Sequence, residues 1–220
     1  MALRTLAFAL LACLLAGGAH AQRIATEFES TVMRHIDAVA RFTPPEYAIG
    51  PVRESPLAFY GAAMNEFNRV SCERSASLGI VAKANMAGAI VVGICEREAK
   101  RVRALAASAQ PALAGTIAML RGSGATVDAA MLQKPEWKYA KTTGADGAEE
   151  HYFPVIAVGH GIAILQTLVR VPAGARRAIV VQADTIRLCE NYGLKGRTPL
   201  CDDTPQALAA IARRLDAGVR

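Results

Sequence analysis

The spacing of apolar residues changes several times along the chain, and each change marks an element. Ile24, Phe28, Val32, Ile36 and Val39 recur every three or four residues, with Glu27, Arg34, Asp37 and Arg41 between them. That spacing gathers the apolar set on one face of an amphipathic helix. The helix must stop before Pro44-Pro45, because proline disfavours helical backbone at the residue ahead of it. Residues 43–51 then read as linker. Ser55 followed by Pro56 is an N-cap with proline at the first helical position, and Leu57, Tyr60, Met64 and Phe67 form the stripe of a second helix.

From Leu78 to Cys95 the helical period is lost. Ile90, Val91, Val92 and Ile94 are β-branched and favour a buried strand, while Gly79, Gly88 and Gly93 would each weaken a helix by about 1 kcal/mol. With the turn-prone Asn85-Met86-Ala87-Gly88 inside it, the segment predicts a hairpin of strands. An alanine-rich stretch follows from Glu96 to Leu120, where Val102, Leu105, Ala109, Leu113, Ile117 and Leu120 keep helical spacing. Pro111 predicts a break or kink within it, and Gly122 its end. Thr126 to Leu132 suits one short helix. Pro135 to Glu150 is polar, and Gly144, Asp146 and Gly147 mark it as an exposed loop.

Two apolar runs, Phe153 to Val158 and Ile162 to Val171, are separated only by Gly159-His160-Gly161, and Pro172-Ala173-Gly174 leads into a third, Ala178 to Cys189. Loops this short force antiparallel neighbours, so the region is a meander. In its third strand Ile179, Val181, Ala183 and Thr185 share the more apolar face, expected to meet the core, and Val180, Gln182, Asp184 and Ile186 share the other. Thr204-Pro205 caps a last helix with Leu208, Ile211 and Leu215 as its stripe. Asp202 and Asp203 lie by its positive end, and Arg213 and Arg214 by its negative end. The pattern as a whole predicts an α+β fold: an antiparallel β-meander over about 152–189 and a hairpin over about 78–95, packed with amphipathic helices at both termini and in the middle.

Composition narrows the class. The chain has 220 residues, 52% of them hydrophobic, which is ample for a core and excludes disorder as the main state. No repeat period is visible, so collagen, coiled-coil arrays and solenoids are set aside. At the N-terminus, Arg4, the apolar run Leu6 to Ala16 and the small-x-small Ala19-His20-Ala21 have the three-part layout of a secretory signal peptide. The run is far shorter than the roughly 20 residues a membrane-crossing helix needs. Residues 1–21 are therefore expected to be cleaved, leaving no transmembrane span and one disulfide-stapled domain over 22–220. A minor alternative is a lipid anchor at Cys13, since Leu10-Leu11-Ala12-Cys13 resembles a lipobox, though Leu11 is bulkier than that motif prefers. The alanine- and arginine-rich composition suits a GC-rich bacterial source, which makes the periplasm the expected compartment, or secretion beyond it.

Loss of Cys13 leaves Cys72, Cys95, Cys189 and Cys201, an even set that in an exported chain favours two disulfides. Of the three possible pairings the local one is preferred. A hairpin about 83–84 brings Cys72 and Cys95 together, and Cys189 with Cys201 closes the loop Glu190 to Leu200, which has Asn191, Gly193, Gly196 and Pro199 and no apolar period. Zinc is disfavoured because no C-x-x-C pair is present, and no metal or cofactor is expected.

Three histidines remain as candidates for acid–base work. His160, between two glycines at a strand turn, is the best placed, against the plain reading of a polar turn residue. His151 follows Glu149 and Glu150, yet it and His160 stand up to about 30 Å apart on an extended strand and cannot easily share an ion. His35 reads as a boundary residue of the first helix. There is no G-x-S-x-G elbow, Ser-x-x-Lys, H-E-x-x-H or P-loop, so no motif assigns a reaction.

The formal charge is +6, and basic residues gather in two places: Arg97, Lys100, Arg101 and Arg103, and Lys195 with Arg197 beside Tyr192. The plain reading is a solvated helix face and a solubilising loop. The functional reading is attachment to an acidic surface or an envelope protein, with Tyr192, Lys195 and Arg197 as the contact set. Nucleic acid is a poor partner, because only 5% of residues are aromatic and able to stack bases. The expectation is thus an exported, non-catalytic binding or envelope-interaction protein, the alternative being a small periplasmic hydrolase or transferase using His160 as acid or base.

Overall fold

The computed structural model describes residues 27–35, 37–42, 47–51, 74–82, 86–95, 98–122, 133, 137–158, 162–183, 185, 189 and 193–219. The expected leader over 1–21, Cys13, the helix expected after Ser55, Cys72, Arg97, the helix expected over 126–132, His160 and Tyr192 lie outside the described residues.

Among the described residues seven strands form one sheet: β1 (Tyr47–Pro51), β2 (Arg74–Ala82), β3 (Met86–Cys95), β4 (Ala140–Thr143), β5 (Glu149–Val158), β6 (Ile162–Val171) and β7 (Ala178–Ala183), in the spatial order β1-β2-β3-β7-β6-β5-β4. Every neighbouring pair is antiparallel. The predicted hairpin is β2 and β3, and the predicted meander is β5, β6 and β7. Pairing of β3 with β7, Ile94 opposite Ile179 and Val92 opposite Val181, joins the two into a continuous sheet.

Helices cover both faces. The first two, α1 (27–34) and α2 (Asp37–Ala40), lie on one side together with α4 (Pro199–Asp202) and α5 (Thr204–Val219), and α3 (Ala99–Gly122) lies on the other. On the first side Phe28, Val32, Val39, Leu208, Ile211 and Leu215 pack with Tyr152, Leu168, Ile179 and Val181. On the second, Val102 and Ala106 pack with Phe153, Val169 and Val180. This double cover corrects the expectation of one core face on the third strand: all six positions of β7 are buried, because α3 covers the Val180 side. The strand also ends at Ala183. Thr185 and Cys189 have helical backbone, as the chain leaves the sheet to bring Cys189 to Cys201.

Four further expectations are revised. Residues 47–51, read as the end of a linker, form strand β1, paired antiparallel with β2 from Tyr47 opposite Ala82 to Pro51 opposite Leu78. The first helix is broken at His35, where His35 N–H donates to the Val32 carbonyl at 3.0 Å and Ala38 N–H to the His35 carbonyl at 2.9 Å. The residue that interrupts the helix is packed against α5: its ring atoms lie 2.5–2.7 Å from where a Cβ on Gly218 would sit. Pro111 does not break α3, which runs on as one helix to Gly122, its expected end, with the proline at an exposed position. Residues 135–150 are more than a loop, since β4 pairs with β5 there, Thr143 opposite Glu149. All four β4 side chains are exposed, so the strand has no apolar pattern for periodicity to detect. The chain turns back at 144–148 through Gly147, whose φ of 73° suits glycine.

The last helix is capped one residue earlier than expected: the Asp203 carboxylate accepts from Gln206 N–H at 3.3 Å, while the Thr204 hydroxyl donates to the Leu200 carbonyl at 2.8 Å. Leu208, Ile211 and Leu215 are buried as predicted. Arg213 and Arg214 serve partners across the fold instead of the helix end, Arg213 binding Glu150 on β5 and Arg214 binding Asp37 on α2.

Candidate functional site

The loop before α5 is built to hold a fixed shape. Cys189 and Cys201 form a disulfide with Cα atoms 5.5 Å apart, as the local pairing predicts. Inside it, Leu194 N–H donates to the Cys189 carbonyl at 3.1 Å and Arg197 N–H to the Leu194 carbonyl at 3.1 Å. Gly193 and Gly196, with φ of 59° and 74°, supply the left-handed backbone these turns need. Leu194 and Leu200 are each 2% exposed and pin the loop to the core. Thr198 ties it twice more: its hydroxyl donates to the Phe42 carbonyl and accepts from Leu200 N–H. Gly196 N–H donates to Asp202 at 2.7 Å. Among the described residues of the loop, Gly193, Lys195, Gly196, Arg197 and Pro199 are exposed, and Lys195 and Arg197 are the charged ones.

The other basic group does not form one solvated face. Lys100 and Arg101 are exposed, Arg101 lying 3.8 Å from Glu98. Arg103 instead turns to the sheet and meets Glu149 at 3.1 Å. Glu149 also meets Lys141 at 3.1 Å. The Lys141 ammonium first, and Arg103 with it, hold this carboxyl below the usual carboxylate range against the opposing effect of burial.

Glu149 belongs to a chain of groups that periodicity did not reveal. His151, two residues on along the same face of β5, is 3% exposed. Its Nε2 lies 3.3 Å from Glu149 Oε2, and its Nδ1 3.0 Å from the Tyr139 hydroxyl. An ionised carboxylate can only accept, so Nε2 carries the proton, and in the neutral ring Nδ1 accepts from the tyrosine O–H. Burial pushes the imidazole below its ordinary value of 6.5, opposed by Glu149. His151 is therefore a core residue with both nitrogens engaged.

A second ionic cluster sits on the opposite face. Arg170 of β6 donates to Glu150 at 2.8 Å, to Asp216 of α5 at 3.3 Å, and to Asp146 in the β4–β5 turn. Arg213 grips Glu150 with two bonds of 2.7 Å, and this pairing raises its already high pKa. Arg170, Glu150 and Asp216 are nearly inaccessible, at 4%, 3% and 2% exposure. The cluster ties α5 to the meander. One signal for it was available: Gln166 and Arg170 interrupt an otherwise apolar strand on one face, where a buried polar partner is required.

Among the described residues, no group of His, Cys, Asp or Glu side chains is arranged to hold a metal ion, and no helix is long and apolar enough to cross a membrane. Compared with protein-family models, curated proteins and solved structures, the chain matches none of them.

Proposed function

We propose that the protein is exported to the bacterial envelope and acts there by binding, with the loop closed by Cys189 and Cys201 as the contact surface for an acidic partner. The observation that carries this reading is the exposure of Lys195 and Arg197 on a loop fixed by a disulfide, two buried leucines and the Thr198 bonds. A loop ordered in advance loses little conformational freedom on docking, so its two cations cost less to engage than the same residues on a floppy segment. Export accounts for the disulfide, which a reducing cytosol would not maintain. Tyr192 completes the proposed contact set. His151 and Glu149 are each engaged by neighbouring side chains of the fold, so neither is offered to a substrate in this arrangement.

The test is capture of partners from a solubilised envelope fraction with the wild-type protein and with the Lys195→Ala/Arg197→Ala variant. Both side chains are exposed, so the variant should keep its melting temperature while losing most of the captured partner, and added salt should weaken wild-type capture. Equal recovery by the two proteins would remove the loop from the account.

A further inference from the structure

We infer that His151 is a proton-operated latch on the edge strand β4: with the ring neutral the strand is held to β5 and α3, and with the ring protonated it is released. The strand is a natural place for such a device. It is only four residues long, lies at the end of the sheet and exposes every side chain, so little burial holds it. At its ends the chain is fixed by the buried Trp137 on one side and by the 144–148 turn, with its Asp146–Arg170 pair, on the other; the strand between is held by the ladder to β5 and three polar ties: Lys141 to Glu149 at 3.1 Å, Tyr139 N–H to the Gln110 side chain of α3 at 2.7 Å, and the Tyr139 hydroxyl to His151 at 3.0 Å.

A proton on His151 strains these ties in two ways. It converts Nδ1 from acceptor to donor, so the Tyr139 O–H that pointed at it must turn away or the bond is lost. It also adds charge to a cluster already rich in cations. Around the ring stand Glu149 on its own strand, Arg103 of α3 and Lys141 of β4, while the cross-strand position on β6 is the uncharged Val169. One carboxylate thus faces two cations before the ring gains its charge, and three afterwards. Lys141, directly opposite His151 in the register, is the cation free to leave by moving with its strand. Opening lets water reach a ring that is otherwise 3% exposed and solvates the new charge.

Because a buried neutral histidine takes up its proton more readily once exposed, the opening equilibrium should rise by up to about tenfold for each pH unit below the ordinary histidine value. The readout is hydrogen exchange of the Ala140 to Thr143 amides between about pH 7.5 and 5, expressed as protection factors so that intrinsic exchange cancels. Protection in the wild type should fall along that slope, and in His151→Gln, which cannot titrate, it should stay flat. Nitrogen-resolved NMR of the wild-type ring supplies a readout that needs no variant: the ring should become protonated only over a pH range in which β4 protection has already begun to fall. Tyr139→Phe removes the donor that favours the neutral ring and should bring its titration closer to the ordinary value while shrinking the pH response of β4. The inference is overturned by an equal loss of protection in His151→Gln, by a ring that titrates while β4 stays protected, or by a Tyr139→Phe protein that titrates and opens as the wild type does.

Discussion

Replacing Arg170 by Met tests whether the C-terminal helix is held to the sheet by charge. The guanidinium is 5% exposed and reaches three carboxylates. Two of them, Glu150 and Asp216, are 3% exposed in their side chains, so water cannot take over when the arginine is removed. Breaking a buried ion pair by deleting one partner typically costs about 3–5 kcal/mol. Here the lower end applies, because Glu150 keeps two bonds to Arg213, and Asp146, 53% exposed, is solvated in any case. The expected loss is about 3 kcal/mol, a large part of a typical stability of roughly 5–15 kcal/mol. For a chain of this size that lowers the melting temperature by roughly 6–12 °C. Urea unfolding followed by circular dichroism measures it. Arg170→Met combined with Asp216→Leu should recover part of the loss, since an apolar pair replaces the stranded carboxylate. A single variant that loses less than about 1 kcal/mol, or a double variant whose loss equals the sum of the two singles, refutes the assignment of these charges to a coupled buried cluster.

Two glycines of the helices should respond oppositely to alanine. Gly115 in α3 has open space where a Cβ would go, so Gly115→Ala should stabilise by up to about 1 kcal/mol in thermal melts, whereas Gly218→Ala would drive a methyl group into the His35 ring 2.5 Å away and should destabilise by about 1–3 kcal/mol. Reduction of Cys189–Cys201 should cost about 3 kcal/mol in the chain-entropy model, read as a lower urea midpoint with reductant in the wild type and no reductant effect from this bridge in Cys189→Ser/Cys201→Ser. On acidification, Glu149 and Asp146 should contribute a separate decline. Lys141 and Arg103 lower the first, and the Ala148 N–H and Arg170 lower the second, so the stability they contribute is present above their ordinary values of 4.5 and 3.8 and is lost below them, as pH falls through the lowered folded-state values. Denaturant midpoints measured from pH 6 to 3 should therefore fall most steeply at the acid end, and Glu149→Gln should lessen that fall.

The elements legible in the sequence were those whose burial left a period or whose ends carried punctuation. The stripe Leu208, Ile211 and Leu215 marked α5, the β-branched run at Ile90 to Ile94 marked β3, and Gly159 to Gly161 and Pro172 to Gly174 separated the meander strands. Edge strand β4 left no trace, since a strand that buries no side chain is specified by its neighbour's backbone alone. The joining of hairpin to meander through β3 and β7 was equally invisible, because pairing across that distance depends on both partners and not on either one's pattern. The same holds for the ionic clusters. Arg170 and Asp216, or Tyr139 and His151, become neighbours only once strands and helices are stacked. The disulfide loop was the opposite case: two cysteines flanking a short glycine-rich segment are constrained by chain length, so their pairing could be read directly.

Export, as proposed, and the Cys189–Cys201 bond leave their marks on the mature protein together. Intact mass of protein isolated from the envelope fraction, after alkylation with and without reductant and followed by peptide mapping, tests this most directly. The predicted product begins at Gln22 and shows Cys189 and Cys201 protected until reductant is added. A product that keeps residues 1–21 and is alkylated at both cysteines without reductant contradicts it.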